Sequence, residues 1–316
     1  MSNGNMICAG VDISKETLDI VIHPCGTHFQ FDYSEEGLAR FDACMADHKV
    51  RRVGFEATGG YERPLMAHLR DNHPHLEVGM FQPLQIHAWR TSRLKRAKTD
   101  KLDASLIAEF TAHVLELPPM REARFDKLLE YLTFLEQIEE RASMLKNMLE
   151  STRQKELRKF LQDDIKRLTR QREQIMCKMF AQIAKDEMLS KRFDLLVSIK
   201  GIGERSALAA LIRMPELGQA SNRQIAALAG VAPFVRQSGK NKGMARIGGG
   251  RSRLRKSMYM AAFAAAQHNP QLSQFYKRLR EAGKPHNQAL TAVMRKLIIL
   301  ANVVITRNRP WVPELT

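Results

Sequence analysis

Cysteine is scarce in this chain. Cys8, Cys25, Cys44 and Cys177 are scattered through 316 residues with no Cys-x-x-Cys pair, which excludes a zinc ribbon and a disulfide framework and suits a reducing compartment. The N-terminus lacks a basic-then-apolar signal pattern, and the longest strongly apolar run, Leu297 to Ile305, is too short to span a bilayer. No basic amphipathic helix with a Trp/Phe face stands out, so a membrane surface is a poor partner. The expectation is a cytoplasmic protein with no membrane contact. Proline is absent between Pro119 and Pro215 and glycine is rare there, which leaves long helices as the natural reading of that stretch.

Positive charge is in excess. Lys and Arg number 50 against 34 Asp and Glu, a net +16, and residues 190–316 hold 22 of the cations against 5 acids. The first 189 residues are close to neutral, so the imbalance belongs to one end of the chain. A domain that basic implies a polyanion, and nucleic acid is the partner expected.

Residues 1–115 read as an α/β domain. Ile7 to Asp12, Thr17 to His23 and His28 to Tyr33 make a three-stranded meander, and Ser34 caps a helix with Leu38, Phe41 and Met45 on one face. Arg52 to Glu56 is a short buried strand, Tyr61 to Asn72 a helix, Glu77 to Gln82 a further strand, and a helix from Leu84 leads to a basic loop. The order βββαβαβα is an RNase H-like arrangement. His68, His73 and His75 are read as a helix stop and turn rather than as metal ligands.

The basic loop carries Arg93, Lys95, Arg96 and Lys98 directly ahead of Thr99, Asp100 and Asp103. With Thr99 as cap, the two acids three residues apart share one face of a first helical turn. Asp12 falls near the end of the central strand and Glu56 at the end of the fourth. Burying unpaired carboxylates is costly, and a shared hard cation, Mg²⁺ or Mn²⁺, accounts for all four at once. Two such ions about 4 Å apart are the usual means of stabilising both attacking and leaving oxygens of a phosphodiester, with the cationic loop holding the phosphate. Singly, each acid is explained as well by a turn or a cap.

Residues 120–189 carry one stripe from Leu128 to Leu149 and another from Leu157 to Ile183, expected to fold back near Ser151–Lys155 as a coiled-coil hairpin, with a single rod as the alternative. Residues 190–316 form a mainly α domain. Lys200-Gly201-Ile202-Gly203 between two helical patterns resembles a helix-hairpin-helix, whose glycine backbone can approach a phosphate. From Gly230 to Arg255 the chain is glycine-rich and cationic, with Arg236, Lys240, Lys242, Arg246 and Arg251 around Ser238. The pattern leaves Ser238 as nucleophile, turn residue or phosphate contact, with no histidine nearby in sequence to act as base; Ser252 and Ser257 are similar candidates.

Five segments together resemble the DEDD-type transposases of insertion sequence 110 elements: Gly10-Val-Asp-Ile-Ser-Lys, Phe55-Glu-Ala-Thr-Gly-Gly-Tyr, Lys98-Thr-Asp-Lys-Leu-Asp-Ala, the Gly-Ile-Gly hairpin, and Ala232-Pro-Phe through Ser238-Gly to Gly248-Gly-Gly-Arg. The resemblance covers nearly the whole chain. It implies a RuvC-like domain whose metal-binding acids are Asp12, Glu56, Asp100 and Asp103, and a second domain with Ser238 as nucleophile. It also implies a structured guide (bridge) RNA pairing with double-stranded donor and target DNA, a dimer or tetramer whose active sites combine two subunits, and action at the bacterial nucleoid. Two rivals are a junction resolvase-like nuclease using water in place of Ser238, and a non-catalytic nucleic-acid scaffold.

Overall fold

The computed structural model describes residues 6–93, 99–118, 122–234 and 246–313, with the backbone alone of 237–238 and 241–242. The chain forms two compact units, Met1–Ala123 and Arg124–Thr316.

In the first unit, β1 (Cys8–Ile13), β2 (Thr17–His23) and β3 (Thr27–Asp32) form an antiparallel meander. After α1 (Glu35–Asp47), β4 (Arg52–Glu56) pairs parallel with β1; after α2 (Glu62–Asn72), β5 (Glu77–Phe81) pairs parallel with β4. The sheet order β3-β2-β1-β4-β5, followed by α3 (Pro83–Ser92) and α4 (Asp100–His113), is consistent with an RNase H-like domain. Helix starts follow the expected caps. The Ser34 hydroxyl accepts from Gly37 N–H, and that of Thr99 accepts from Leu102 N–H.

Strand alternation sorts the two faces of this sheet. Ala9, Val11, Ile13, Val53 and Phe55 share a core with Phe41, Leu65 and Leu69 of α1 and α2. The alternate positions, Gly10 and Asp12 on β1 and Gly54 and Glu56 on β4, face α4. A Cβ at Gly10 would overlap the backbone of Ala104 and Ala108, and one at Gly54 would overlap Thr111, so these two glycines let α4 lie directly on the strands. At the other end of α4, buried Arg52 pairs with Glu77 at 2.7 Å and donates to Val114 O at 2.8 Å. Held in this way, α4 delivers its first turn to the ends of β1 and β4.

The second unit opens with α5 (Arg124–Ser151) and α6 (Lys155–Ile183), which fold back on each other as a helical hairpin. Arg158 secures the bend by donating to Leu149 O at 2.7 Å and Thr152 O at 2.8 Å. The lower half of the hairpin, including Phe125, Leu128, Leu132, Met179 and Ile183, shares one core with the helices that follow. These are α7 (Glu187–Val197), α8 (Glu204–Arg213), α9 (Asn222–Leu228), α10 (Ser252–His268), α11 (Pro270–Glu281) and α12 (His286–Arg307). By length and composition α12 could cross a membrane, and it is longer than its most apolar stretch, Leu297 to Ile305, suggests. Its apolar face is nevertheless spent here, with Leu290, Val293, Leu297, Ala301 and Val304 in the core.

Among the described residues, four short strands interrupt this helical unit where the sequence shows a glycine-rich loop. β6 (Pro233–Phe234) pairs antiparallel with β9 (Arg246–Ile247), and inside that pair β7 (Gln237–Ser238) pairs with β8 (Asn241–Lys242). Period-2 patterning is too brief in two-residue strands to be read from sequence.

Candidate active site

Asp12 is the half-buried centre of the carboxylate group. Burial pushes its carboxyl up to about 6, and the negative charges of Asp103, Asp100, Glu56 and Asp19 add to that rise. Among the described residues, the charges that act appreciably on Asp12 are negative. Acids separated by up to 91 positions in sequence meet at one place because β1 and β4 are adjacent and α4 lies over both.

Asp19 belongs to the neighbourhood but not to the candidate ligand set. It sits opposite Asp12 in the β1–β2 register, almost wholly buried, and its oxygens are occupied by His28 Nε2 at 2.8 Å and Gln30 Nε2 at 3.1 and 3.3 Å. Asp103 is ion-paired with Arg90 of α3, and Arg93 pairs with Glu109 at 2.9 Å while its guanidinium lies over the Trp89 ring. Beside Glu56, the turn with positive φ at Gly59 and Gly60 is held by Glu62, which accepts from Thr58 N–H at 3.2 Å, the Thr58 hydroxyl at 3.1 Å and Gly60 N–H at 2.7 Å. Tyr33 fixes the following helix by donating to Tyr61 O at 2.9 Å and accepting from Leu65 N–H at 2.7 Å. Sequence reading missed Arg90, Glu62 and Tyr33 in these roles. Asp19, an acid inside a strand opposite Asp12, was a further signal of a polar cluster on this face.

In the second unit, the backbone of Ser238 pairs with Asn241 in the inner β-ladder. The side chains of Ser238 and Lys242, and Lys95, Arg96, Lys98, Arg236 and Lys240 entirely, lie outside the described residues. Arg246 is exposed on β9. Arg251 points its charge inward, gripping Glu216 at 2.5 and 2.7 Å and donating to Arg213 O at 2.7 Å. Gly201 has φ +107° and stands where a Cβ would overlap Ala265, so turn geometry and packing explain this glycine. Lys200 O accepts from Asn269 Nδ2 at 3.1 Å. Gly203 differs: it caps α8 with open space around its α-carbon.

Residues 193–277 match the family described as Transposase IS116/IS110/IS902 family, and residues 9–152 match that family's DEDD transposase domain. Two relatives named pilin gene-inverting protein, from Moraxella bovis and Moraxella lacunata, are each 30% identical over 316 residues, 96% of either chain. The chain belongs to the IS110 family of transposases. An IS110 insertion-element protein of 43.6 kDa from Streptomyces coelicolor is 32% identical over 105 residues, 33% of this chain and 26% of that protein. As a member of the family, this transposase is a DNA-cleaving and DNA-joining enzyme.

The donor set of the transposase fits a hard divalent cation. Four carboxylates supply only oxygen, and a cation among them would reverse the repulsion that raises Asp12. Their oxygens are not drawn as close as 4.8 Å in threes, in keeping with like charges and with Arg90 holding Asp103.

A pH-dependent cost follows for the metal-free protein. Because folding raises the Asp12 carboxyl from 3.8 to about 6, its contribution is fully favourable below pH 4 and is lost as pH rises through 6. Above that, the ionised group costs about 2 kcal/mol once partial solvation is allowed for. In chelator at pH 8, Asp12→Asn is expected to raise the melting midpoint of the first unit by about 5 °C, and at pH 4 to leave it unchanged. Scanning calorimetry at the two pH values checks this; equal midpoints at pH 8 would mean Asp12 is not under that repulsion.

Proposed function

We propose that this transposase exchanges DNA strands through a covalent Ser238 intermediate assisted by divalent metal on Asp12, Glu56, Asp100 and Asp103, with a structured RNA selecting donor and target. The observation that carries the reading is the convergence on Asp12 of three acids from two other elements, Glu56 of β4 and Asp100 and Asp103 of α4.

The Ser238 hydroxyl attacks the scissile phosphorus, one P–O bond to deoxyribose breaks, and the departing oxygen leaves as a hydroxyl after accepting a proton. A strand hydroxyl from the second duplex then attacks the phosphoserine and releases the serine. One phosphodiester bond is exchanged at each step, so rejoining needs no ATP. Mg²⁺ or Mn²⁺ bound to the four acids supplies Lewis-acid stabilisation of the phosphate oxygens and activates the hydroxyl. Arg90 holds Asp103 in place before DNA arrives, while Glu62 and Tyr33 keep the Glu56 strand end and α2 in register.

The acids lie in one unit and Ser238 in the other. The reaction requires them to meet on one phosphate, within a subunit or between two subunits of a dimer or tetramer. Lys95, Arg96, Lys98, Arg236, Lys240, Lys242 and Arg246, with the cationic excess of residues 190–316, supply phosphate grip for DNA and RNA. Backbone N–H groups at the Gly203 end of α8 add a sequence-independent contact. Arg251 is left out because its charge is engaged by Glu216.

The test is reconstitution. Purified protein with Mg²⁺ is expected to nick duplexes carrying the element's junction only when RNA transcribed from the element's flank is added. Equal nicking with and without that RNA would remove the guide, and no nicking under any combination would remove the enzymatic reading of these residues.

A further inference from the structure

The sheet face opposite the carboxylates carries a second cluster of donor atoms. Asp42 lies in the middle of α1, His68 in the last turns of α2, and His73 is the residue that caps α2. Both rings reach the same carboxylate oxygen: His68 Nε2 and His73 Nε2 each stand 2.7 Å from Asp42 Oδ1. All three ligand atoms fall within 4.8 Å of one another, with the rings 14–15% exposed and the carboxylate 32% exposed. His75, exposed, stacks edge-on to His73 with centroids 5.7 Å apart.

We infer that Asp42, His68 and His73 form a binding site for Zn²⁺ or a similar borderline divalent ion, structural in role and separate from the catalytic carboxylates. Two imidazoles and one carboxylate are a donor set suited to zinc, whereas the four acids across the sheet suit magnesium. Zinc bonds of 2.0–2.1 Å imply ligand-to-ligand edges of about 3.3 Å, so the present 2.7 Å contacts need to open by about 0.6 Å. His68 and His73, in the last turns and at the cap of α2, are the groups that shift to make room. Water or His75 supplies the fourth ligand.

Binding puts the ion on Nε2 of each ring and leaves the ring proton on Nδ1. At His68, Nδ1 now meets Asn72 Nδ2 at 3.1 Å, so the Asn72 amide turns to offer its oxygen to that N–H. The ion would tie α1 to the end of α2, whose beginning is anchored beside the Glu56 strand end by Glu62 and Tyr33.

The experiment uses the full chain without a histidine tag, stripped by chelator, in the Asp12→Asn/Asp103→Asn background so that the acidic centre is removed. Zn²⁺ is titrated against a chromophoric chelator, and zinc-edge X-ray absorption is recorded on the loaded protein. One equivalent is expected to bind, with two imidazoles in the absorption spectrum. Asp42→Asn, His68→Gln and His73→Gln are each expected to weaken binding by about 100-fold. No bound zinc in the background protein, or a spectrum without imidazole scattering, would overturn the inference whatever the variants do. Unchanged affinity in all three variants would overturn it equally.

Discussion

Replacing any one of Asp12, Glu56, Asp100 or Asp103 by its amide is expected to reduce Mg²⁺-dependent strand cleavage by about 1,000-fold or more, which is about 4 kcal/mol of transition-state stabilisation. The amide keeps the shape of the side chain and removes the negative charge a hard cation needs. On the proposed reading, in which the four acids hold the same ion or ion pair, the four effects should be of one size; the negative charge that Asp103, Asp100 and Glu56 put on Asp12 supports treating them as a set. Folding is expected to survive, since Asp100 is exposed, Asp12 and Glu56 keep part of their surface in solvent, and the amide at Asp103, whose side chain is 13% exposed, can still accept from Arg90. Nicking rates under saturating Mg²⁺, with circular dichroism as the folding check, measure this. Full activity in two of the four variants would break the single-site reading. Asp19→Asn offers a contrast, because it disturbs His28 and Gln30 and acts through the fold rather than through the ions.

Ser238→Ala is expected to abolish the covalent DNA–protein adduct entirely and to reduce strand exchange below detection. A serine ester retains the phosphodiester bond energy for rejoining, which water attack would discard. Protein, guide RNA and target DNA are incubated with Mg²⁺, quenched in denaturant, and separated by electrophoresis. Wild type should give a DNA-linked band and Ser238→Ala none. If Ser238→Ala nicks at the wild-type rate and neither protein forms an adduct, water is the nucleophile and a resolvase-like nuclease replaces the recombinase. Ser252→Ala and Ser257→Ala, at the start of α10, should retain the adduct and so localise the chemistry to the inner β-ladder.

Much of the first unit was legible residue by residue. Ser34 and Thr99 announce their helices because a hydroxyl at that position satisfies an otherwise orphaned N–H. The alternation in β1 and β4 puts Asp12 and Glu56 on one face, and the spacing of Asp100 and Asp103 puts them on one helical turn. The two apolar stripes separated by a short polar link led to the expectation that α5 and α6 fold back, with a single rod as the alternative, and packing of the two helices decided between them. In the second unit the glycine-rich segment gave no period long enough to reveal its β-ladders. Arg251 looked like a phosphate contact because charge in sequence says nothing about which acid waits 35 residues away.

The separation is one of range. Period, caps and charge runs are local, so they define the elements and the donor residues. Which side chains then meet depends on strand register and on how closely a helix can approach a sheet. Gly10 and Gly54 let α4 come down onto β1 and β4, and that approach brings Asp100 and Asp103 into the field of Asp12. Packing of α1 against the end of α2 likewise turns two histidines of an ordinary helix stop into partners of Asp42, 26 and 31 residues distant. Side-chain partners so far apart along the chain are chosen by the packed core, because only burial fixes the distances over which charge and hydrogen bonding act.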